Sequence, residues 1–229
     1  EIPKRDWSSD VCSSDLSRMR RSMASREIIP EKSLFPVKST LYRRIPGTNA
    51  RIFPLPGRTQ YPMTTLAPVQ RLKLLRDLER KVLWLSAWTI HHANHLRPSR
   101  DGLKVGGHQA SCASLATVMT ALYFSVLRPE DRVAVKPHAS PVFHAIQYLF
   151  GHQTRDKLEH FRGLGGAQSY PSRTKDHDEV DFSTGSVGLG VAMTMFSSMV
   201  QDYVHLKKLA PPGFRPGRMI AVMGDAELD

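Results

Sequence analysis

The sequence contains very few cysteines and no long apolar stretch. Only Cys12 and Cys112 occur among 229 residues. They form neither a Cys-x-x-Cys pair nor the framework of a disulfide-rich module, which fits a reducing compartment. No apolar run approaches the roughly 20 residues that span a bilayer, and the N-terminus has no apolar segment of the signal-peptide kind. These absences predict a soluble, cytoplasmic protein with no membrane partner.

Signatures of nucleic-acid binding are missing as well, although the chain is basic. Lysine and arginine number 32 against 21 acidic residues, a net charge of +11. Residues 1–62 alone hold 12 of the basic and 6 of the acidic residues, and the rest of the excess is scattered without RNA-binding motifs or interleaved aromatic residues. We expect no nucleic-acid partner. A non-catalytic basic α/β binding domain stays open, and a steep salt dependence of DNA binding by residues 63–229 would support it.

The first 62 residues show no clean hydrophobic period. Residues 6–16 back-translate to a string that matches a common short-read sequencing adapter, so residues 1–16 are predicted to be an artefact and are excluded from fold reasoning. Residues 17–62 carry six prolines and are predicted to be disordered or a non-native leader. The native domain is therefore expected to span residues 63–229 and to start at Met63.

The remainder alternates between helical periodicity and short apolar runs. Helices are predicted over residues 68–96, 111–127, 141–150 and 187–206, with a short one after Thr154, and strands over residues 132–136 and 219–223. The glycine-rich, polar residues 163–178 are predicted to form a loop, and the helically spaced Met193, Met195 and Met199 are predicted to be core. The pattern indicates an α/β fold whose parallel sheet is covered by helices.

A strand that ends in a glycine and a carboxylate is the first candidate site. Residues 219–223 run directly into Gly224 and Asp225. Ligands of α/β sheets bind beyond the carboxyl ends of the strands. A glycine there lets the backbone approach a phosphate, and a carboxylate can hold magnesium that bridges two phosphate oxygens. Taken alone, the pattern is also typical of an ordinary turn.

A glycine-rich helix start is the second candidate. Gly185, Gly188 and Gly190 open an apolar helix, where free N–H groups and the helix dipole make an anion site. The Gly-x-x-Gly-x-Gly spacing differs from the dinucleotide fingerprint Gly-x-Gly-x-x-Gly, and no apolar strand precedes it. The alternative is a helix start capped by Ser183 or Thr184.

Two histidines in loops form the third candidate. His108 follows two glycines, and His138 follows a proline just after the predicted strand 132–136. A histidine beside glycine at a helix start can donate a hydrogen bond to a diphosphate or carry a proton. Singly, each is also consistent with a structural or surface histidine.

Five segments in order make the chain resemble the transketolase superfamily of thiamine-diphosphate enzymes, over residues 88–229. They are residues 106–108 (Gly-Gly-His), 138–141 (His-Ala-Ser-Pro), 161–166 (Phe-Arg-Gly-Leu-Gly-Gly), 183–190 (Ser-Thr-Gly-Ser-Val-Gly-Leu-Gly) and 224–225 (Gly-Asp). Within the superfamily, Ser-Tyr-Pro at residues 169–171 resembles the homodimeric pyruvate dehydrogenase first component, whereas Ser-Thr-Gly-Ser at residues 183–186 resembles transketolases. Both branches stay open.

The resemblance implies a thiamine-diphosphate-binding fold with a diphosphate and magnesium site. Asp225 would be the first magnesium ligand, and His138 and His108 would contact the diphosphate or the substrate as catalytic residues. The implied cofactor-binding residues are His138, Gly185, Ser186, Val187, Gly188, Gly224, Asp225 and Ala226. The implied partners are a 2-oxo acid or ketose substrate and a second copy of the chain in a homodimer, and the cofactor would supply a thiazolium ylid that adds to a carbonyl.

Two departures from the family pattern stand out. The family motif is usually Gly-Asp-Gly, and here Ala226 occupies the third place. The sequence stops at Asp229, before the asparagine that completes the family's metal site and before the domain that supplies the activating glutamate. We therefore expect a truncated fragment without activity of its own. Transketolase action on sugar phosphates is the alternative function.

Overall fold

The computed structural model describes residues 67–99 and 101–227. The predictions for residues 1–16 and 17–62, and for a start at Met63, lie outside these described residues. The α-helices are α1 (Pro68–His91), α2 (Gln109–Ala121), α3 (Ser140–Phe150), α4 (Arg155–Glu159) and α5 (Leu189–Leu206). The strands are β1 (Arg132–Ala134) and β2 (Met219–Ala221). Thus the predicted elements are confirmed, with shorter strands.

Turns of other helical types extend these elements. The π-helical turns His92–Leu96 and Leu122–Val126 continue α1 and α2, and the 3₁₀ turns Pro137–Ala139 and Asp225–Glu227 follow the two strands. The first two predicted helices therefore extend as far as expected, but each ends in a wider π-helical turn. The strand β1 ends early because a proline, which has no N–H to donate to a ladder, follows shortly after it.

The core forms where α1, α2 and α3 pack together. Nine of the eleven residues of α3 are buried, which is typical of a helix enclosed on all sides. One stripe of α1 also belongs to this core and includes Leu78, Val82 and Leu85. The segment Gln109–Val126 is long and apolar enough to span a membrane by length and composition alone. It contributes Cys112 and Met119 to this core, so its apolar character has a place within the fold.

The two strands form a parallel pair, with Arg132 opposite Met219 and Ala134 opposite Ala221. The buried carboxylate of Asp131 precedes β1 and accepts hydrogen bonds from the backbone and side chain of Arg218, which precedes β2. The described residues thus form a helix-rich fold with a small parallel sheet, in agreement with the predicted α/β class.

Residues 163–188 contain no α-helix or β-strand, which confirms the loop predicted from residue 163 onward. The buried His144 of α3 secures it. Its Nδ1 pairs with Asp178, and its Nε2 lies 2.7 Å from the Gln168 carbonyl oxygen. The other Asp178 oxygen accepts from Gln153. A buried polar group therefore ties two points of the loop to the core helix.

The predicted burial of the α5 methionines is wrong. Met195 and Met199 are more than half exposed, as are Phe196, Val200 and Tyr203 on the same helix, while Met193 is half-buried. One side of α5 packs on β1 and β2, and none of the described residues buries the outer side. Helical periodicity identifies an apolar face, but it does not say whether the same chain covers that face.

Candidate functional site

Two histidine rings stack at the carboxyl end of β1. His138 lies in the 3₁₀ turn Pro137–Ala139, and the His108 ring lies 4.1 Å from it, centroid to centroid, with 28° between the planes. His108 is the residue that precedes α2. The structure therefore brings together two predicted site residues that stand thirty positions apart in the sequence.

Backbone conformation and close packing explain why two glycines precede His108. Gly106 and Gly107 have φ of 78° and 142°, in the region that disfavours side chains. A Cβ atom on Gly107 would lie 2.7 Å from the Ile90 side chain. The glycine pair therefore lets the loop pass against α1 and turn sharply into α2, with His108 at the corner.

Positive charges surround the stacked rings. Burial lowers the pKa of His108, and the nearby His138, Arg162 and Lys136 lower it further. His108 is therefore neutral near pH 7, beside one ammonium and one guanidinium group. An anion bound among them would oppose the repulsion and raise the pKa of His108 again.

Lys136 was not among the residues predicted from the sequence. It lies two residues after the end of β1, and an ideal Cβ on Gly224 would lie 2.5 Å from its Nζ. The ammonium group thus lies against the backbone at the carboxyl end of β2, and it forms no ion pair within the described part of the chain. The available signal was a lysine two residues after a buried strand, at the sheet edge where ligands bind.

The start of α5 lies at the same edge. An ideal Cβ on Gly190 would lie 3.3 Å from the Ala134 Cβ at the end of β1, and one on Gly188 would lie 4.0 Å from the Glu227 carbonyl oxygen. Gly188 precedes α5 with φ of 74°. The free N–H groups of the first helical turn therefore lie between β1 and the turn after β2.

The remaining predicted residues are less tightly grouped. Gly185 lies beside Tyr170, 3.9 Å from its ring at an ideal Cβ, and Ser186 and Val187 are exposed. Asp225 is exposed and begins the turn Asp225–Glu227, whose backbone includes Ala226. No group of three or more His, Cys, Asp or Glu side chains that could hold a metal ion occurs among residues 67–99 and 101–227.

No protein-family model matches the chain. Over 212 residues, it is 30% identical to the pyruvate dehydrogenase E1 component of Cupriavidus necator, an alignment that covers 87% of the chain and 23% of that protein. It is 30% identical over 168 residues to the E1 component of Mycolicibacterium smegmatis, an alignment that covers 67% of the chain and 17% of that protein. It is 28% identical over 167 residues to the E1 component of Escherichia coli, an alignment that covers 69% of the chain and 18% of that protein. The chain is similar to pyruvate dehydrogenase E1 components.

The similarity to E1 components covers most of the chain but little of the relatives. The chain spans about a fifth of the length of the E1 components that it matches. Of the two branches left open by the sequence motifs, these E1 relatives correspond to the pyruvate dehydrogenase branch. The part of the chain that the structure describes contains the histidine stack, Lys136 and the start of α5.

Proposed function

We propose that this chain is the diphosphate-binding part of a thiamine-diphosphate-dependent E1-type enzyme that acts on a 2-oxo acid. The observation that carries the proposal is the convergence of His108, His138 and Lys136 at the carboxyl ends of β1 and β2, beside the start of α5. The E1 relatives support the enzyme class and the substrate class.

The residues present fit a diphosphate. Lys136 supplies a full positive charge without an ion-pair partner among the described residues, and the two histidines supply ring N–H donors. Charge-assisted hydrogen bonds of this kind are about twice as strong as neutral ones. A side chain at Gly224 would displace the Lys136 ammonium group, so the glycine leaves room for this charge beside the backbone that a phosphate would approach. The helix start adds backbone donors and a favourable dipole.

Asp225 is the residue we propose for magnesium. Magnesium keeps several waters and is commonly bound by one or two carboxylates together with phosphate oxygens, so a single carboxylate beside a diphosphate is sufficient on the protein side. The backbone of Gly224 and Ala226 flanks it. We place Gly185, Ser186, Val187 and Gly188 over the cofactor, because this segment leads into α5 at the same sheet edge.

When bound, thiamine diphosphate supplies an ylid that adds to a carbonyl and holds the resulting carbanion. The contribution of the chain is to bind and orient the diphosphate end. His108 is neutral near pH 7 and so can accept a proton at a ring nitrogen, and His138 stacks against it and limits its rotation. We further propose that the enzyme is cytoplasmic and a homodimer, and that the 229-residue chain alone is inactive.

The proposal is tested by calorimetric titration of the 229-residue chain with pyrophosphate and with thiamine diphosphate, each with and without magnesium. Lys136→Met removes the ammonium group but keeps an apolar stem. Lys207→Met is the matched control, since it makes the same charge change at the far end of the 18-residue α5, about 27 Å from its start. We expect Lys136→Met to weaken pyrophosphate binding at least roughly tenfold.

Two results would contradict this function. One is a folded chain that binds neither probe, and the other is equal weakening by both lysine variants. Duplex DNA serves as the competing ligand in the same titrations. Tight, salt-sensitive DNA binding without pyrophosphate binding would favour the basic binding domain instead. Loss of the magnesium effect in Asp225→Asn would support the metal assignment.

A further inference from the structure

The side chain of Asn94 pairs with the backbone of the loop that delivers His108. Its Nδ2 donates to the Gly106 carbonyl oxygen at 3.0 Å, and its Oδ1 accepts from the Gly106 N–H at 2.8 Å. A third hydrogen bond, from Nδ2 to the Ile90 carbonyl oxygen at 2.7 Å, anchors the amide to its own helix. The Asn94 amide thus pairs with Gly106 as a neighbouring strand would, with one donor and one acceptor.

Asn94 belongs to the π-helical turn His92–Leu96 at the end of α1. Such turns are frequent at functional sites. Both hydrogens of the amide nitrogen are used here, one within the helix and one across to the loop. The loop is therefore fixed directly to the turn that continues α1.

The loop is held from its other side as well. Arg162 Nη1 donates to the Val105 carbonyl oxygen at 2.6 Å, one residue before Gly106. One residue after it, Gly107 packs so closely on Ile90 that a side chain would not fit. With Gly106 fixed, only the backbone angles of Gly107 separate the clamped residue from His108.

We propose that Asn94 is a positioning residue that holds His108 against His138 through Gly106. This inference rests on the function proposed above, because His108 matters only if the anion site is used. The amide is suited to the task because it offers a donor and an acceptor in one plane. Aspartate would lack the donor, and an apolar side chain would lack both groups. The clamp acts in the ligand-free chain, so it can be tested without cofactor.

The first test compares Asn94→Ala with Ser99→Ala by NMR of the 229-residue chain labelled at histidine. Ser99 makes its hydrogen bonds within the same connection, to Asp101 and Leu103, and is the matched control. The signal of His108 is identified by its loss in His108→Gln.

In Asn94→Ala we expect the pKa of His108 to rise toward its ordinary value and the ring-current shift from His138 to disappear. Pyrophosphate binding should weaken roughly tenfold, the loss expected for one misplaced hydrogen-bond partner. Ser99→Ala should leave all three quantities unchanged. A folded Asn94→Ala chain that keeps both the pKa and the ring-current shift of His108 would overturn the proposal.

A second measurement needs no variant and therefore remains decisive if Asn94→Ala does not fold. The Gly106 amide, which donates to Asn94, should exchange its hydrogen at least roughly tenfold more slowly than the Lys104 amide in the same exposed connection. Equal exchange rates would show that no clamp exists. Failure of the proposed function gives a different result. Pyrophosphate would then not bind, although the Gly106 amide is protected from exchange and the pKa and ring-current shift of His108 still change in Asn94→Ala.

Discussion

His144 is the buried titratable side chain that secures the long loop. Burial opposes its charge, but the hydrogen bond and charge of Asp178, with a contribution from Asp176, outweigh burial and raise the pKa of His144. Each ring nitrogen faces an acceptor oxygen, so only the doubly protonated ring satisfies both. The charged ring is therefore part of the folded structure.

This pair predicts a pH-dependent stability. Because the folded-state pKa is raised, the stabilisation is fully present below the ordinary value of 6.5 and is lost as pH rises through the raised value. We expect the free energy of unfolding to fall as pH rises above 6.5, by up to about 1.4 kcal/mol per pH unit, and this fall to be absent in His144→Gln. Urea unfolding at a series of pH values measures it. If the free energy of unfolding depends on pH in the same way in the unchanged chain and in His144→Gln, the pair of His144 and Asp178 is not the cause.

Cys112 illustrates a second residue-scale effect. The start of a helix usually lowers a thiol pKa, yet burial raises the pKa of Cys112 to about 12. Its Sγ–H donates to the His138 carbonyl oxygen at 3.6 Å. Burial therefore outweighs the effect of the helix dipole on this thiol.

We therefore expect an unreactive thiol in the native chain. At pH 8, a pKa of about 12 leaves about one thiolate in ten thousand. In a Cys12→Ser background, Cys112 should react with a disulfide reagent at least roughly 100-fold more slowly than in urea. Reaction rates followed by thiolate absorbance provide the measurement, and similar rates in the two conditions would disprove the burial.

At the element scale, one buried carboxylate fixes how β1 meets β2. Burial alone would raise the pKa of Asp131, but hydrogen bonds from Arg218 and Arg128 outweigh it and hold the pKa well below its ordinary value. This stabilisation is present above the ordinary carboxyl pKa and is lost only in strong acid, as pH falls through the lowered value.

Removing this carboxylate should disrupt the strand pair. Asp131→Ala leaves the backbone N–H groups of Arg128 and Arg218 without their acceptor, and we expect a loss of about 3 kcal/mol in the free energy of unfolding. Asp77→Ala removes an exposed carboxylate that pairs with Arg80 and should cost less than about 0.5 kcal/mol. Equal, small losses in both variants, measured in urea, would refute the role of Asp131.

Among the elements, the helices could be predicted from the sequence, whereas two residues of the candidate site could not. The helices were predictable because their apolar residues recur at helical spacing over three or more turns. Lys136 was missed because its role depends on the distance to Gly224, which follows β2 and lies 88 positions later in the sequence. Asn94 was missed for the same reason, since its partner lies in a connection that has no periodicity.

At the scale of the whole molecule, the exposed face of α5 favours self-association. The face carries Phe196, Met199, Val200 and Tyr203, each more than half exposed, and apolar patches of this kind are typical of interfaces. We expect the sedimentation coefficient of the chain to rise with concentration, and Phe196→Asp to abolish the rise. Val118→Asp, on the exposed side of α2, is the control. Association that persists in Phe196→Asp would exclude this face.

The pairing of β1 with β2 has a consequence for the order of folding. It joins Arg132 to Met219, so the chain must close a loop of 87 positions (219 minus 132) before the pair can form. Local helix contacts form faster than such distant ones. The helical core should therefore assemble first and the strand ends, with the anion site between them, last. Ligand binding would then stabilise only molecules that have completed folding, and occupancy of the site becomes a measure of successful maturation.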